Sequence, residues 1–123
     1  MATLADRVYD NGLTVLDTEA NRVDICSQEP TTYTAATSTY TLGNTTSITI
    51  SAPTDGDTSG RKVTLSAISG GSVTGTGTAT HFAIVDTSNS RLLATGSLTT
   101  SQGVSSGNTF SLSAVDIEIP DPA

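Results

Sequence analysis

Aromatic side chains, basic residues, cysteine and long apolar runs are all scarce in this 123-residue chain. With one cysteine, Cys26, no disulfide can form within it. Five Lys and Arg stand against twelve Asp and Glu, a net charge of −7. That balance argues against nucleic acid, because a phosphate-tracking surface needs clustered cations that displace counterions. The nearest approach is the pair Arg61–Lys62. An anionic membrane surface is disfavoured on the same ground, and no apolar run approaches the ~20 residues of a membrane helix. The opening Met-Ala-Thr-Leu-Ala-Asp-Arg has neither the basic nor the apolar region of a signal peptide, so synthesis in the cytoplasm is expected. Tryptophan is absent, and two Phe and three Tyr leave the core to Val, Ile, Leu and Ala. So thin a core favours further burial by oligomerisation or by docking on another protein.

Thr and Ser are what the chain has in plenty, together about a third of its residues. Threonine is β-branched and suits the half-buried surface of a strand, while Ser, Gly and Asn supply turns. The length fits one domain. Leu4 and Val8 lie four residues apart, and Leu13, Leu16, Ala20 and Val23 recur at intervals of three and four, the spacing of one helix face. Asn11-Gly12 interrupts that pattern. Two short helical pieces, or a broken helix, are therefore expected within residues 3–22; the alternative is an Asn-Gly turn leading into a short strand over 13–16.

From Arg22 onward the pattern alternates. Strands are expected at 23–26, at 48–51 before Pro53, and at 62–69, with Gly70-Gly71 as the turn of a hairpin that returns at 72–74. The stretch 31–44 reads as a loop with one helical turn. Residues 81–86 are apolar on both faces, the mark of a central strand, and pair with 91–98 as a hairpin. The last strand, 109–119, changes phase: Phe110, Leu112 and Ala114 are apolar at even positions, then Val115, Ile117 and Ile119 at odd ones. A β-bulge near Ala114, or a crossing from one sheet to another, would resolve this. The expected fold is mainly β: a single antiparallel β-sandwich or barrel-like domain over 23–119. A short, partly helical N-terminal arm (1–22) precedes it and an extended tail (120–123) follows.

Candidate chemistry is sparse. His81 is the lone histidine, so any Ser-His-Asp or Cys-His arrangement must use it, with Cys26 and Asp86 as available partners. No nucleophile motif surrounds Cys26 or any serine. Asp55-Gly-Asp57-Thr-Ser59-Gly60 matches the opening half of a calcium loop, with Asp55, Asp57 and Ser59 as ligands. The twelfth position, which should be Glu, is Ser66, and Asp-Gly and Ser-Gly are ordinary turn dipeptides. An inter-strand turn is the favoured reading. Asp116 and Glu118 share one strand face, normally a solvated one, and the few aromatics argue against a sugar-stacking cleft. Gly70-Gly71 and Gly75/Gly77 open no helix and precede no Lys, so they are not phosphate loops. No catalytic residue, cofactor or metal is expected, and the chain reads as a non-enzyme.

Two stretches, Ala20-Asn-Arg-Val-Asp-Ile-Cys-Ser-Gln-Glu-Pro-Thr-Thr-Tyr33 and Thr80-His-Phe-Ala-Ile-Val-Asp-Thr-Ser-Asn-Ser-Arg-Leu-Leu-Ala94, resemble small proteins of the structural-gene clusters of tailed bacteriophages and prophages. The likeness runs over most of the chain, including the phase-shifted last strand and the Ile-Pro-Asp-Pro ending. Within that group the chain looks most like capsid decoration (cement) proteins. The resemblance implies a virion component on the capsid surface that binds the major capsid protein at joints between subunits and stabilises the shell. It also suggests a homo-oligomer, a trimer by preference. No catalytic residue transfers with it. The segments expected to reach neighbouring subunits are the arm, with Leu4, Val8, Leu13 and Leu16 as apolar anchors, and the Ile119–Pro120 end. The alternative is that these residues cover the domain's own sheet. Rival readings are a tail, baseplate or adhesin component of the virion, and a carbohydrate- or calcium-binding β module.

Overall fold

The structure, a computed structural model, describes residues 4–120. It is mainly β with a short N-terminal helix, and its larger antiparallel sheet curls into a half-barrel. Two compact units are built from interleaved stretches of chain: residues 20–48 with 68–112, and residues 4–19 with 49–67 and 113–120.

The larger unit is a six-stranded sheet in the order β7-β6-β1-β2-β5-β8. Its strands are β1 (Arg22–Cys26), β2 (Thr41–Thr45), β5 (Ile68–Val73), β6 (Gly77–Asp86), β7 (Arg91–Val104) and β8 (Thr109–Leu112). Expected strand 81–86 lies inside β6, next to the edge strand β7, and its Ala83, Ile84 and Val85 are fully buried. One face of the sheet carries Val23, Ile25, Ile84 and Phe82, which pair directly across β1 and β6. On the other face Cys26, Ala36, Ala83 and Val85 form a small cluster against Tyr33, Tyr40 and Leu92. Ala36 reaches it from a π-helical turn (Ala35–Thr39), whose entry is held by the Ala35 N–H donating to Thr32 Oγ1 at 3.0 Å.

At each end of this sheet the edge strand and its neighbour set a glycine opposite a phenyl ring. Gly96 of β7 is paired with Phe82, and a Cβ there would come within 2.6 Å of the ring. Gly71 of β5 is paired with Phe110 of β8, where a Cβ would overlap the ring outright. A ring laid over a cross-strand glycine shields backbone that would otherwise be bare. This also corrects the hairpin expected at Gly70-Gly71. The two glycines sit inside β5, at a register break between Ile68 and Gly71, with Gly70 at φ +76. The positive φ forms a bulge, and the chain continues straight on because Gly71 is needed under Phe110.

The smaller unit has a three-stranded sheet in the order β3-β4-β9, from β3 (Thr54–Asp55), β4 (Arg61–Leu65) and β9 (Val115–Ile119). The strand expected at 48–51 is reduced to a single bridge between Ile50 and Leu65. Pairing of β4 with β9 puts Val63 opposite Ile117 and Leu65 opposite Val115 on one face, and Lys62 opposite Glu118 and Thr64 opposite Asp116 on the other. The helix α1 (Asp6–Glu19) lies against β4 and buries Tyr9, Leu13 and Leu16, residues at the i, i+4, i+7 spacing of one face. It runs unbroken through Asn11-Gly12, contrary to the broken helix or turn expected there. Gly12 faces Ile119, whose Cδ1 lies 3.7 Å from the place a Cβ would take. Tertiary packing of the Tyr9/Leu13/Leu16 face outweighs the roughly 1 kcal/mol that a mid-helix glycine costs. The phase change of the expected 109–119 strand is the crossing: β8 belongs to the six-stranded sheet and β9 to the three-stranded one.

Candidate functional site

Charged groups gather on the three-stranded unit. Asp55 and Arg61 are paired across β3 and β4, and Arg61 Nη1 donates to Asp55 Oδ1 at 2.7 Å. Its Nε donates to Asp10 Oδ1 of α1 at 2.9 Å, which pins the helix over the apolar side of the sheet. These carboxylates raise the Arg61 pKa above its ordinary value, the Asp10 hydrogen bond most.

On the opposite face Lys62 Nζ lies 2.5 Å from Asp57 Oδ1 and 3.2 Å from Asp116 Oδ2. Glu118 Oε1 accepts the Asp57 backbone N–H at 2.8 Å. Carboxylate oxygens of Asp57, Asp116 and Glu118 come within 4.8 Å of one another. Asp116 also accepts from Thr64 Oγ1 at 2.8 Å, and that hydrogen bond, followed by Lys62, holds its carboxyl below the usual range.

The calcium-loop trio Asp55, Asp57 and Ser59 is thus split. Asp55 turns to Arg61 on one face while Asp57 joins Asp116 and Glu118 on the other. Lys62 supplies the cation that three neighbouring carboxylates call for. Sequence reading had Asp116 and Glu118 on one strand face but could not bring Asp57 to them, because the β4–β9 pairing joins residues fifty or more positions apart.

His81 does meet a hydroxyl. Thr80 Oγ1 donates its one proton to Ser27 O at 3.0 Å and lies 2.8 Å from His81 Nδ1. Ser97 Oγ stands 3.4 Å from Nε2, beyond the range of a good hydrogen bond. Among the described residues no carboxylate is hydrogen-bonded to the ring. Asp86 is engaged elsewhere: it accepts Asn89 Nδ2 at 2.8 Å and the Ser88 N–H at 2.9 Å, shaping the β6–β7 turn, and these bonds lower its pKa. Cys26 is paired with His81 across β1 and β6, yet its thiol points to Ala36 O at 3.6 Å and is fully buried. Burial pushes its pKa up to about 12, which leaves no thiolate near neutrality.

Among the described residues Asp24 is the one carboxylate buried completely with an ion-pair partner. Arg22 clamps it with two hydrogen bonds, Nε at 2.7 Å and Nη2 at 2.8 Å, and Thr41 Oγ1 adds a third at 2.6 Å. A carboxylate so fully engaged serves the fold.

Of the arm residues expected to anchor on a partner, Leu13 and Leu16 are buried in the chain's own interior, 2% and 7% exposed. They take the alternative role, since the helix needs an apolar face for its sheet. Ile119 is half-buried within β9, and Pro120 is exposed. Leu4 and Val8 do stand in solvent, 45% and 56% exposed, and Val15 joins them at 37%. Val15 was missed in the sequence, although it follows Val8 by seven residues, two helical turns along the same face. The remaining expected tail, residues 121–123, lies outside the described residues.

No protein-family model matches the chain, and no curated protein or solved structure matches it.

Proposed function

We propose that the chain is a non-enzymatic virion protein, a capsid decoration protein that docks on the major capsid protein and stabilises the shell from its outer surface. The observation that carries this reading is the exposed apolar trio Leu4, Val8 and Val15, borne by a unit with eight acidic and three basic residues among those described. Val8 and Val15, exposed two turns apart on an acidic helix, with Leu4 exposed just before it, suit a groove with basic rims on another protein. The commitments of Cys26, Asp86 and Asp24 to local bonds favour a binding role over catalysis. Likeness of the 20–33 and 80–94 stretches to phage structural proteins supplies the partner class.

Quantitative mass spectrometry of particles assembled by the encoding phage tests it. A copy number near that of the major capsid subunit, or a simple fraction of it, is expected. Loss of the chain from particles when Leu4, Val8 and Val15 are all changed to Ser, with the fold intact, would tie binding to the helix. A handful of copies per particle would move the protein to the tail, and absence from particles would sink the proposal.

A further inference from the structure

We propose that the notch Gly12 leaves on the outside of α1 seats one apolar side chain of the docking partner, flanked there by Lys or Arg. The inference rests on the decoration reading and deepens it, because it says what the exposed helix receives. It starts from a glycine that the fold does not require. Glycine weakens a helix interior through its backbone freedom and its lack of a side chain to pack. At Gly71 and Gly96 a phenyl ring fills the place of that side chain. At Gly12 a Cβ would meet Ile119 Cδ1 at 3.7 Å, an ordinary contact. α1 is regular there, with no positive φ, so alanine would fit without strain. A sequence that breaks a local rule with no gain to the fold does so most often where the molecule works.

The place of Gly12 on α1 supplies the work. At i−4 and i+3 from it stand Val8 and Val15, both exposed. On its other flank, at i−3 and i+4, stand the buried Tyr9 and Leu16. Gly12 is therefore where the apolar stripe of the helix passes from the interior to solvent, and it is itself exposed. Ile119 beside it belongs to β9, an outer strand of its sheet, and is half-buried. Val8, Val15 and Ile119 thus border an apolar notch that suits Leu, Met or Phe. Around it α1 exposes Asp6 and Asp17 against Arg7 alone. The other two cations described in this unit, Arg61 and Lys62, are already held by carboxylates. Lys or Arg beside the entering side chain would complement that charge. A second copy of this acidic chain is poorly matched to it.

The purified chain, titrated onto shells of the encoding phage assembled without it, provides the test, with a urea midpoint for each variant. Gly12→Ala should raise the midpoint yet weaken binding at least tenfold, because the methyl takes up the notch. Asn11→Ala, at an exposed neighbouring position, should bind as the unaltered chain does. Affinity should fall as salt is added. Full affinity in Gly12→Ala overturns the inference and leaves the decoration reading standing, since the unaltered chain still binds. Equal losses in Gly12→Ala and Asn11→Ala overturn it as well, as do a lowered midpoint in Gly12→Ala and salt-independent binding. Failure of the unaltered chain to bind the shells removes the decoration reading and this inference together.

Discussion

The six-stranded unit and the three-stranded unit use charge in opposite ways. In the first, five charged residues are spread over seventy-four positions, and the central pair, Arg22–Asp24, sits inside the sheet with Asp24 fully buried. In the second, ionic groups crowd both sides of β4: Asp10, Asp55 and Arg61 on the helix side, Asp57, Lys62, Asp116 and Glu118 on the other. Those pairs lie at or near solvent. A lone buried carboxylate has no water to fall back on, so its partners are obligatory. Crowded surface charges share their partners with water and with each other, and any one of them is replaceable. Few and costly against many and cheap is therefore the expected response of the two units to mutation.

Asp24→Ala is the sharpest test of that contrast. It leaves the Arg22 guanidinium, about three-quarters covered, without its carboxylate, and leaves Thr41 Oγ1 without its best acceptor. A loss of about 3 kcal/mol is expected, read as a lower urea midpoint. Equal losses for Asp24→Ala and Asp116→Ala would break the comparison.

Gly71→Ala comes next and asks whether the neutral unit depends on packing as heavily as on its one ion pair. The added methyl collides with the Phe110 ring, and about 2 kcal/mol of destabilisation is expected from overpacking. Phe110→Leu in the same chain should recover part of it, because the two sites couple directly. Additive losses in the double variant would show that the glycine serves backbone conformation instead.

Much of this architecture was legible in the sequence. Alternation at 23–26 and 81–86 marked two adjacent strands, and the switch from Phe110/Leu112 to Val115/Ile117/Ile119 marked the passage between sheets. Both are local signals set by the two-residue period of a strand. The rest was hidden because it depends on partners distant in sequence. Gly70-Gly71 reads as a turn until Phe110 is known to lie above Gly71. Asp57 reads as a loop acid until Glu118 arrives to take its N–H. Leu13 and Leu16 could be told from Val8 and Val15 only by knowing which side of the helix meets β4.

Acid should act on the crowded unit gently and on a known group. Asp116 has a folded pKa below its ordinary value of about 3.9, held there first by Thr64 and then by Lys62. A depressed carboxylate stabilises the fold above its unfolded pKa, and that contribution fades as pH falls through the folded value. Stability is thus expected to hold from neutrality to about pH 4 and decline below, with Asp116→Asn flattening part of the decline. Added salt should shrink the Asp116 contribution and leave that of Asp24 nearly untouched, since only the former is exposed to screening. Calcium in place of chelator should not move the melting temperature, because Lys62 already sits among the carboxylates. A calcium-induced rise would revive the cation-site reading.

Gly12→Ala carries the smallest expected change, and it alone should strengthen the protein. A glycine amid α1 keeps backbone freedom in the unfolded chain that alanine would give up, worth about 0.5–1 kcal/mol where the native conformation accepts alanine. Acceptance turns on Ile119, and at 3.7 Å its Cδ1 would make ordinary contact with the new methyl. The contrast with Gly71 is then complete. One glycine is indispensable because a ring already fills the place of its side chain; the other is a local weakness that the buried Tyr9, Leu13 and Leu16 override. If Gly12→Ala destabilised the chain instead, the helix must approach β9 closely for the fold to close, and Gly12 would belong with Gly71 and Gly96.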